Sequence, residues 1–159
     1  MASIVRKHQA RVYADRRTRL QYAAARVETL IQVLPGGRIV RVREIAMKRA
    51  YDPASRDDGF RVLVDRLWPR GLSKKKLRID LWAREIAPST KLRQWFGHDP
   101  RRWREFCKRY REELRDPTPR AQIRVILDRA GGGKITLVYG AKDTEHNQAV
   151  VLRTLFRRR

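Results

Sequence analysis

The stretch "RVLVDRLWPRGLSK", from Arg61 to Lys74, decides how the fold is organised. It begins as a run of β-branched and other apolar residues, which is typical of a strand buried on both faces. The run ends in Asp65, Arg66 and Trp68, and the "PRG" that follows breaks the strand. Charged and aromatic side chains at this position predict a site at the carboxyl end of the strand.

A second run of this kind, "KITLVYG" at residues 134–140, also leads into polar residues, "AKDTEHNQ" at 141–148. Between the two runs, "DPRRWREFCKRYREEL" (99–114) and "TPRAQIRVILDRAGGG" (118–133) repeat apolar residues at helical spacing. Strands separated by helices predict an α/β fold, here a small, Rossmann-like, open and mostly parallel sheet flanked by helices. Because the carboxyl ends of parallel strands meet at one edge, we expect the two polar loops to lie together.

Two further segments have strand character. "RIVRVREIAMKRAYDP" at residues 38–53 alternates apolar and basic residues, which favours a strand. "RIDLWAREIA" at residues 78–87 is compatible with either a helix or a strand. The residues "YDPASRDDG" at 51–59 are typical of a loop because of their Pro, Asp and Gly content.

Polar residues predict where the helical segments begin, since their side chains accept hydrogen bonds from the first N–H groups of a helix. Along the chain these residues are Ser73, Ser89, Asp99 with Pro100 as the first helical residue, and Asp143 or Thr144. Gly131 is predicted to end the helix before it. His98 is expected to pack in the turn before Asp99.

Residues 1–40 differ from the rest of the chain. From Val12 to Leu34, apolar residues recur at near-helical spacing among arginines, and "PGG" at 35–37 ends the pattern. We therefore predict an extra N-terminal helical arm over residues 1–40 and an α/β domain over residues 41–159. Two interpretations of the arm remain open: a genuine basic arm, or an extension from a gene start assigned too far upstream.

The charge of the chain is unusual. There are 39 Lys and Arg residues against 17 Asp and Glu residues, which gives a net charge of +22 and a pI of about 11.4. Such a surface attracts polyanions, so nucleic acid or a nucleotide is the first partner to consider. The alternative is a generally arginine-rich surface that attracts phosphate without a specific site.

The single cysteine, Cys107, excludes an internal disulfide and is typical of a reducing cytoplasm. No apolar run approaches the roughly 20 residues of a membrane span, and no apolar core of a secretory signal follows the N-terminus. The three histidines are scattered, and no "HExxH" or "CxxC" spacing occurs. We therefore predict a cytoplasmic protein with no membrane association, no metal and no cofactor, and we leave the oligomeric state open.

The first candidate cluster lies at the end of the strand that begins at Phe60. Guanidinium groups bind phosphate in bidentate geometry, and a carboxylate can orient an arginine or a ribose hydroxyl, or act as a base. The cluster consists of Arg61, Asp65, Arg66, Trp68 and Arg70, with Trp68 as a surface on which a base could stack. The structural alternative is an ion pair that ties the strand to the loop after it.

The second candidate cluster lies at the end of the strand 134–140. His146 is a candidate acid or base, and the other residues are candidate ligands of an anion at the start of the final helix. The cluster consists of Tyr139, Lys142, Asp143, His146 and Asn147, and Tyr51 is expected to join it from a neighbouring strand end. Asp65 and His146 are then candidates for an acid/base pair. The structural alternative is a helix cap with a histidine bonded to it.

Several unusual strings occur in order along the chain: "DRLWPRG" (65–71), "IAPS" (86–89), "WFGHDP" (95–100) and "AKDTEHNQAVVL" (141–152). With these strings, the chain from about Arg43 to about Leu155 closely resembles the YeaO-like branch of the DUF488 family. The resemblance implies a compact cytoplasmic α/β domain and no established activity. Residues 1–40 lie outside it.

Another branch of this family has cysteines in the segment after its last strand. Tyr139 and Asn147 stand at the corresponding positions here, so thiol or metal chemistry does not carry over. Three hypotheses therefore remain open for the function. They are binding of a nucleotide or nucleic acid without catalysis, a small hydrolase- or transferase-like enzyme that uses Asp65 or His146, and a protein-interaction or regulatory factor.

Overall fold

The computed structural model describes residues 30–33 and 39–42 as backbone and residues 44–157 in full. The strands are β1 Leu30–Val33, β2 Ile39–Val42, β3 Ile45–Arg49, β4 Phe60–Leu63, β5 Leu81–Trp82 and β6 Ile135–Tyr139. The α-helices are α1 Lys74–Leu77, α2 Thr90–Phe96, α3 Trp103–Glu113, α4 Pro117–Ala130 and α5 Gln148–Arg157. Short 3-10 helices cover Arg56–Asp58, Arg84–Ile86 and Pro100–Arg102.

Four of the strands form one parallel sheet in the order β3-β6-β4-β5. The two runs that the sequence marked as buried strands, β4 and β6, lie next to each other in its centre. This confirms the predicted α/β fold with an open parallel sheet and helices around it. The carboxyl ends of β4 and β6 meet at the same edge, because Leu63 of β4 is in register with Val138 of β6.

The central strands are apolar apart from Arg61 and Thr136, because both of their faces are covered. Val62 and Leu137 belong to a large hydrophobic cluster built mainly by α2 to α5. Leu63 and Val138 belong to a smaller cluster with Leu77 of α1. All four strand residues are fully buried, which is the pattern expected of a parallel sheet rather than of one with a solvated face.

The predicted helix over residues 12–34 is wrong where it can be compared. Residues 30–33 form β1, which pairs antiparallel with β2 so that Val33 lies opposite Ile39. The remainder of the predicted helix lies outside the described residues. The β-branched residues of "IQV" at 31–33 favour a strand once a second strand is available to pair with them.

Two of the predicted caps are confirmed without change. Ser73 Oγ accepts a hydrogen bond from Lys76 N at the start of α1, and Ser89 Oγ accepts one from Leu92 N at the start of α2. Asp99 also accepts from a helical N–H, but the Pro100–Arg102 turn that it caps is a 3-10 helix that leads into α3.

The prediction that Asp143 or Thr144 opens the final helix is wrong. Helix α5 begins at Gln148, and Asn147 is its cap, since Asn147 Oδ1 accepts from Ala149 N at 2.9 Å. Asp143 instead organises the loop before the helix. An amide and a carboxylate cap equally well, so composition alone placed the start of the helix several residues too early.

In the described part of the chain, no helix is both long enough and apolar enough to cross a membrane.

Candidate functional site

A cleft of about 310 Å³ lies at the edge where β4 and β6 end. The loop after β4 forms one wall. Helix α2 and the residues that follow β6 form the others. Its polar and charged lining residues are Tyr51, Asp65, Arg66, Arg70, Arg93, His98 and Gln148. Its apolar lining comes mainly from Leu67, Trp68, Pro69, Pro88, Phe96 and Phe106. The cleft is therefore at the position that parallel sheets commonly use for ligands.

Asp65 forms the floor of the cleft between the two central strands. Its Oδ2 accepts a hydrogen bond from Gly140 N at 2.8 Å, and its Oδ1 accepts one from the side-chain amide of Gln148. Burial raises the pKa of Asp65 to about 6, although the Gly140 hydrogen bond and the positive charge of Arg93 act in the opposite direction. Asp65 is thus a carboxyl that changes charge close to neutral pH.

Gly140 allows this arrangement because it has no side chain. A Cβ atom at this position would lie 2.8 Å from Asp65 Oδ2, which is closer than van der Waals contact permits. The backbone of the β6 end can therefore approach the carboxylate only with glycine at position 140.

Arg93 of α2 is the residue of the cleft that carries an unused hydrogen-bond donor. Its Nε is buried and has no hydrogen-bond partner among the described residues. A buried donor without a partner is costly, by about 1–3 kcal/mol. Arg93 also lies near enough to Asp65 for its charge to lower the pKa of that carboxyl. Its guanidinium is therefore a cation at the wall of the cleft, and its Nε is closed off from solvent.

Arg66 holds one wall of the cleft in place. Its Nε donates to Pro88 O at 3.0 Å and its Nη2 donates to Ala87 O at 3.3 Å. These bonds tie the end of β4 to the segment that enters α2. The positive charge of Arg66 remains at the cleft, but two of its donors serve the backbone.

Trp68 and Trp82 fix the loop after β4. Trp68 Nε1 donates to Leu72 O at 2.6 Å, and Trp82 Nε1 donates to Asp65 O at 2.7 Å. The two indole rings meet edge to face with centroids 5.3 Å apart. The Trp68 ring therefore has a defined orientation on the wall of the cleft, as a stacking surface requires.

Tyr51 and Arg70 form the exposed rim of the cleft. Tyr51 Oη donates to the backbone oxygen of Arg70 at 3.4 Å, and 48% of Tyr51 is exposed. The Arg70 side chain points away from the core and is exposed. Both residues were predicted at the site from the sequence, and the fold brings them together with Asp65, Arg66 and Trp68.

Arg61 does not lie at the cleft. It is the second residue of β4 and is in register with Thr136, at the start of β6. Its side chain is buried, pairs with Asp58, and donates to Arg78 O at 2.9 Å and Leu77 O at 3.0 Å. These contacts occupy each nitrogen of the guanidinium.

Asp58 completes this buried ion pair. Lys48 Nζ donates to Asp58 Oδ1 at 2.9 Å and to Oδ2 at 3.1 Å, and Oδ2 also pairs with Arg61. Burial alone would raise the pKa of Asp58, but the Ser55 N–H and the Lys48 and Arg61 cations hold that pKa below its ordinary value. The ion pairs of Asp58 with Lys48 and Arg61 thus link the edge strand β3, the loop before β4 and β4 itself.

The second predicted cluster forms a loop of its own beside the cleft. His146 Nδ1 lies 2.8 Å from Asp143 Oδ2, and the ring meets Trp103 edge to face at 5.4 Å. The backbone N–H groups of His146 and Glu145 donate to Asp143 Oδ1 and hold the pKa of Asp143 below its ordinary value. The carboxylate partner of His146 is therefore Asp143 and not Asp65.

The other predicted residues of the second cluster lie outside the cleft lining. Asn147 is buried and uses its side chain to cap α5 and to donate to Asp143 O at 2.9 Å. Tyr139 is buried at the end of β6, and burial raises the pKa of its phenol. Lys142 is exposed in the loop that follows.

Sequence reasoning missed Arg93, Gln148 and Gly140, and it assigned His98 only to packing. His98 has a φ of 57° and its ring lies 5.7 Å from that of Phe96, yet it also lines the cleft. One feature of the sequence could have indicated Arg93. It lies beside Leu92 and three residues before Phe96, the two buried residues of α2, and so lies close to the buried face of that helix. Nothing in the local sequence marked Gln148.

The described residues contain no group of three or more His, Cys, Asp or Glu side chains that could hold a metal ion. The cleft itself combines three arginines, one histidine and one carboxyl. This composition is suited to binding an anion and to donating hydrogen bonds to it.

Comparison with known proteins places this architecture in a family. The family described as "Inactive DUF488-N3 subclade" matches residues 44–159. The uncharacterized protein YeaO of Escherichia coli K12 is 44% identical over 108 residues, which are 68% of this chain and 92% of YeaO. The uncharacterized proteins Rv3073c of Mycobacterium tuberculosis and Mb3100c of Mycobacterium bovis are 38% identical over 117 residues, 74% of this chain and 97% of each relative.

No solved structure matches the chain. The match to the family covers all of the residues that form the four-stranded sheet and the cleft. The chain therefore belongs to the DUF488 family, among its YeaO-like members.

Proposed function

We propose that the cleft binds a small ligand that carries a phosphate group, either a nucleotide or the nucleotide of a nucleic acid, and that it does so without catalysis. The observation that carries this proposal is that three arginines, Arg66, Arg70 and Arg93, line the cleft together with a single carboxyl. A phosphate would accept hydrogen bonds from guanidinium groups at the wall of the cleft.

The charge of the cleft supports an anionic ligand. Arg66, Arg70 and Arg93 line the cleft together with a single carboxyl, that of Asp65. The cleft is therefore net positive whether Asp65 is ionised or protonated. Arginine is well suited to this task, since its planar guanidinium donates to two phosphate oxygens at once.

The size of the cleft limits the ligand. A volume of about 310 Å³ lies at the lower end of the range for small-molecule sites, which is about 300–1,000 Å³. This favours one nucleotide over a larger ligand. The oriented Trp68 ring on the wall is suited to stack on a base.

Two observations favour binding without catalysis. Each oxygen of Asp65 accepts one hydrogen bond, from Gly140 or from Gln148, so about half of the acceptor positions of the carboxylate are already used inside the fold. The matching family is described as inactive. Ligand binding therefore accounts for the residues that line the cleft without requiring Asp65 to act as a catalytic base.

An enzyme that uses Asp65 is the second candidate function. It is favoured by one observation, the pKa of about 6 in a cleft, because perturbed carboxyl groups are frequent at catalytic sites. Asp65→Asn separates the two functions. It abolishes turnover if Asp65 is the base, whereas it strengthens phosphate binding if the carboxylate only repels the ligand.

The test is calorimetric titration of the full chain with a nucleoside 5′-monophosphate, with the nucleoside that lacks the phosphate, and with inorganic phosphate. We expect the monophosphate to bind at least 10-fold more tightly than the nucleoside. Arg93→Met keeps the aliphatic length and removes the guanidinium, so it should weaken monophosphate binding more than 10-fold.

Arg104→Met is the matched control, because Arg104 is an exposed residue of α3 outside the cleft lining. It should change the affinity less than threefold. Equal losses in Arg93→Met and Arg104→Met, or equal binding of nucleoside and nucleotide, would contradict the proposal.

A further inference from the structure

A strip of unpaired positive charge begins at the rim of the cleft. Its five residues, called here the basic strip, are Arg70, Lys74, Lys75, Lys76 and Arg78, and all are exposed. None of them is in an ion pair with a carboxylate of the described residues. Arg101, Arg109 and Arg115 differ in this respect, with carboxylate partners at 3.1, 2.9 and 2.8 Å.

The backbone of the basic strip is held in a defined shape. Trp68 Nε1 fixes Leu72 O, and Ser73 caps the turn that carries the three lysines. Leu77 anchors the turn in the smaller hydrophobic cluster. The buried Arg61 donates to the backbone oxygens of Leu77 and Arg78. The lysines are consequently presented from a fixed turn.

The basic strip continues directly from the cleft. Trp68 and Arg70 line the cleft, and Lys74 follows Arg70 by four residues, which limits their Cα separation to about 14 Å. Successive phosphates of one nucleic-acid strand lie about 3.4 Å apart along the axis when its bases are stacked. At most about four phosphates of a stacked strand would therefore fit between Arg70 and Lys74, beyond a nucleotide in the cleft.

We infer that the ligand of the cleft is a single-stranded nucleic acid, with one unpaired nucleotide in the cleft and the adjoining phosphates along the basic strip. This inference rests on the proposed function and names its ligand class. A base that is paired in a duplex cannot enter a cleft of about 310 Å³ without leaving its partner. An unpaired base enters freely and presents a face to the Trp68 ring.

The test compares two triple variants of the full chain. Lys74→Ala/Lys75→Ala/Lys76→Ala removes three charges from the basic strip. Arg104→Ala/Lys108→Ala/Arg111→Ala removes three exposed charges from α3, on the side of that helix away from the cleft residue Phe106. The two variants have equal net charge, so generic attraction of polyanions affects them equally.

The probes are a thymidine 5′-monophosphate, oligothymidylates of two, four and eight nucleotides, and a duplex of the same length as the longest. Affinities are measured by fluorescence anisotropy over a range of salt concentrations. For single strands the logarithm of the affinity falls by about 0.7 per neutralised phosphate for each tenfold rise in salt.

We expect affinity for single strands to rise with length and to exceed that for the duplex. The lysine variant should lose about 100-fold for the eight-nucleotide strand near 0.1 M salt, and its salt slope should fall by about 2. The same variant should bind the monophosphate within threefold of the wild type. The α3 variant should bind the long strand within about threefold of the wild type.

Equal losses in the two triple variants, or equal affinity for duplex and single strand, would overturn the inference. If the monophosphate binds in an Arg93-dependent manner but longer strands bind no more tightly, the inference fails while the proposed function stands. If the monophosphate does not bind at all, both fail.

Discussion

The substitution Asp65→Asn tests the electrostatic account of the cleft through the stability of the fold. Asparagine has the size of aspartate and cannot ionise. Its amide oxygen can accept from Gly140 N, as Oδ2 does in the native chain. Its amide nitrogen then faces Gln148, whose side-chain amide can rotate and present its oxygen. The variant therefore keeps both hydrogen bonds and loses the charge.

The magnitude follows from the pKa of Asp65. Burial raises that pKa from an ordinary value of 3.8 to about 6. Each pKa unit is equivalent to about 1.4 kcal/mol, so ionising the buried carboxyl lowers the free energy of unfolding by about 3 kcal/mol. Below pH 3.8 the carboxyl is protonated in the folded and unfolded states and contributes no penalty.

The loss of stability caused by ionised Asp65 increases as the pH rises from 3.8 to about 6. Between pH 3.8 and about 6, the unfolded chain ionises Asp65 while the folded chain retains the proton. Stability therefore falls with rising pH in this interval and is constant above it, as far as this group is concerned. The difference in free energy of unfolding between Asp65→Asn and the wild type should consequently increase, in favour of the variant, by about 3 kcal/mol from pH 4 to pH 7.

The assay is urea unfolding of the wild type and the variant at half-unit pH intervals, followed by tryptophan fluorescence. Asp116→Asn is the control, because Asp116 is exposed and its side chain makes no capping hydrogen bond. The control should differ from the wild type by less than about 0.5 kcal/mol at every pH. A stability difference between Asp65→Asn and wild type that is the same at pH 4 and pH 7 would refute the account.

Three further substitutions test the groups that build the site. Arg61→Met leaves Asp58 in a buried ion pair with Lys48 alone, so we expect a loss of about 3–5 kcal/mol in urea unfolding; a loss below 1 kcal/mol would contradict the structural role of Arg61. Gly140→Ala places a methyl group 2.8 Å from Asp65 Oδ2 and should cost about 1–3 kcal/mol and weaken nucleotide binding; unchanged stability and binding would argue against the close approach. Asn147→Ala removes the cap of α5 and should lower the free energy of unfolding by about 2 kcal/mol, measured by thermal unfolding; a neutral result would place the cap elsewhere.

The fold was predictable because β4 and β6 carry an unusual signal. Both are apolar apart from Arg61 of β4 and Thr136 of β6, since each has one face in the larger hydrophobic cluster and one in the smaller. This pattern is specific for central parallel strands, and the helices between them had clear apolar stripes. The strand β1 was missed because a four-residue strand has no periodicity of its own and depends on its pairing with β2.

The site was predictable in part for a related physical reason. Asp65, Arg66, Trp68 and Arg70 directly follow a buried strand, so the sequence places them at its end. Arg93 comes from a separate helix, and its role depends on how α2 packs over the sheet edge. Arg61 was misplaced because it was grouped with Asp65, four residues further on, although it lies near the start of the four-residue strand that ends before Asp65.

The most direct test of the central claim is the side-chain signal of Arg93 in nuclear magnetic resonance. The Nε–H resonance is assigned in the ¹⁵N-labelled full chain by its absence in Arg93→Lys. It is then followed as a nucleoside 5′-monophosphate is added. A large and saturable shift of this resonance is expected, because a phosphate bound to the guanidinium of Arg93 at the cleft wall changes the electronic environment of the adjoining Nε–H. An Arg93 resonance that stays in place while the nucleotide binds would contradict the claim that this cleft is the phosphate site.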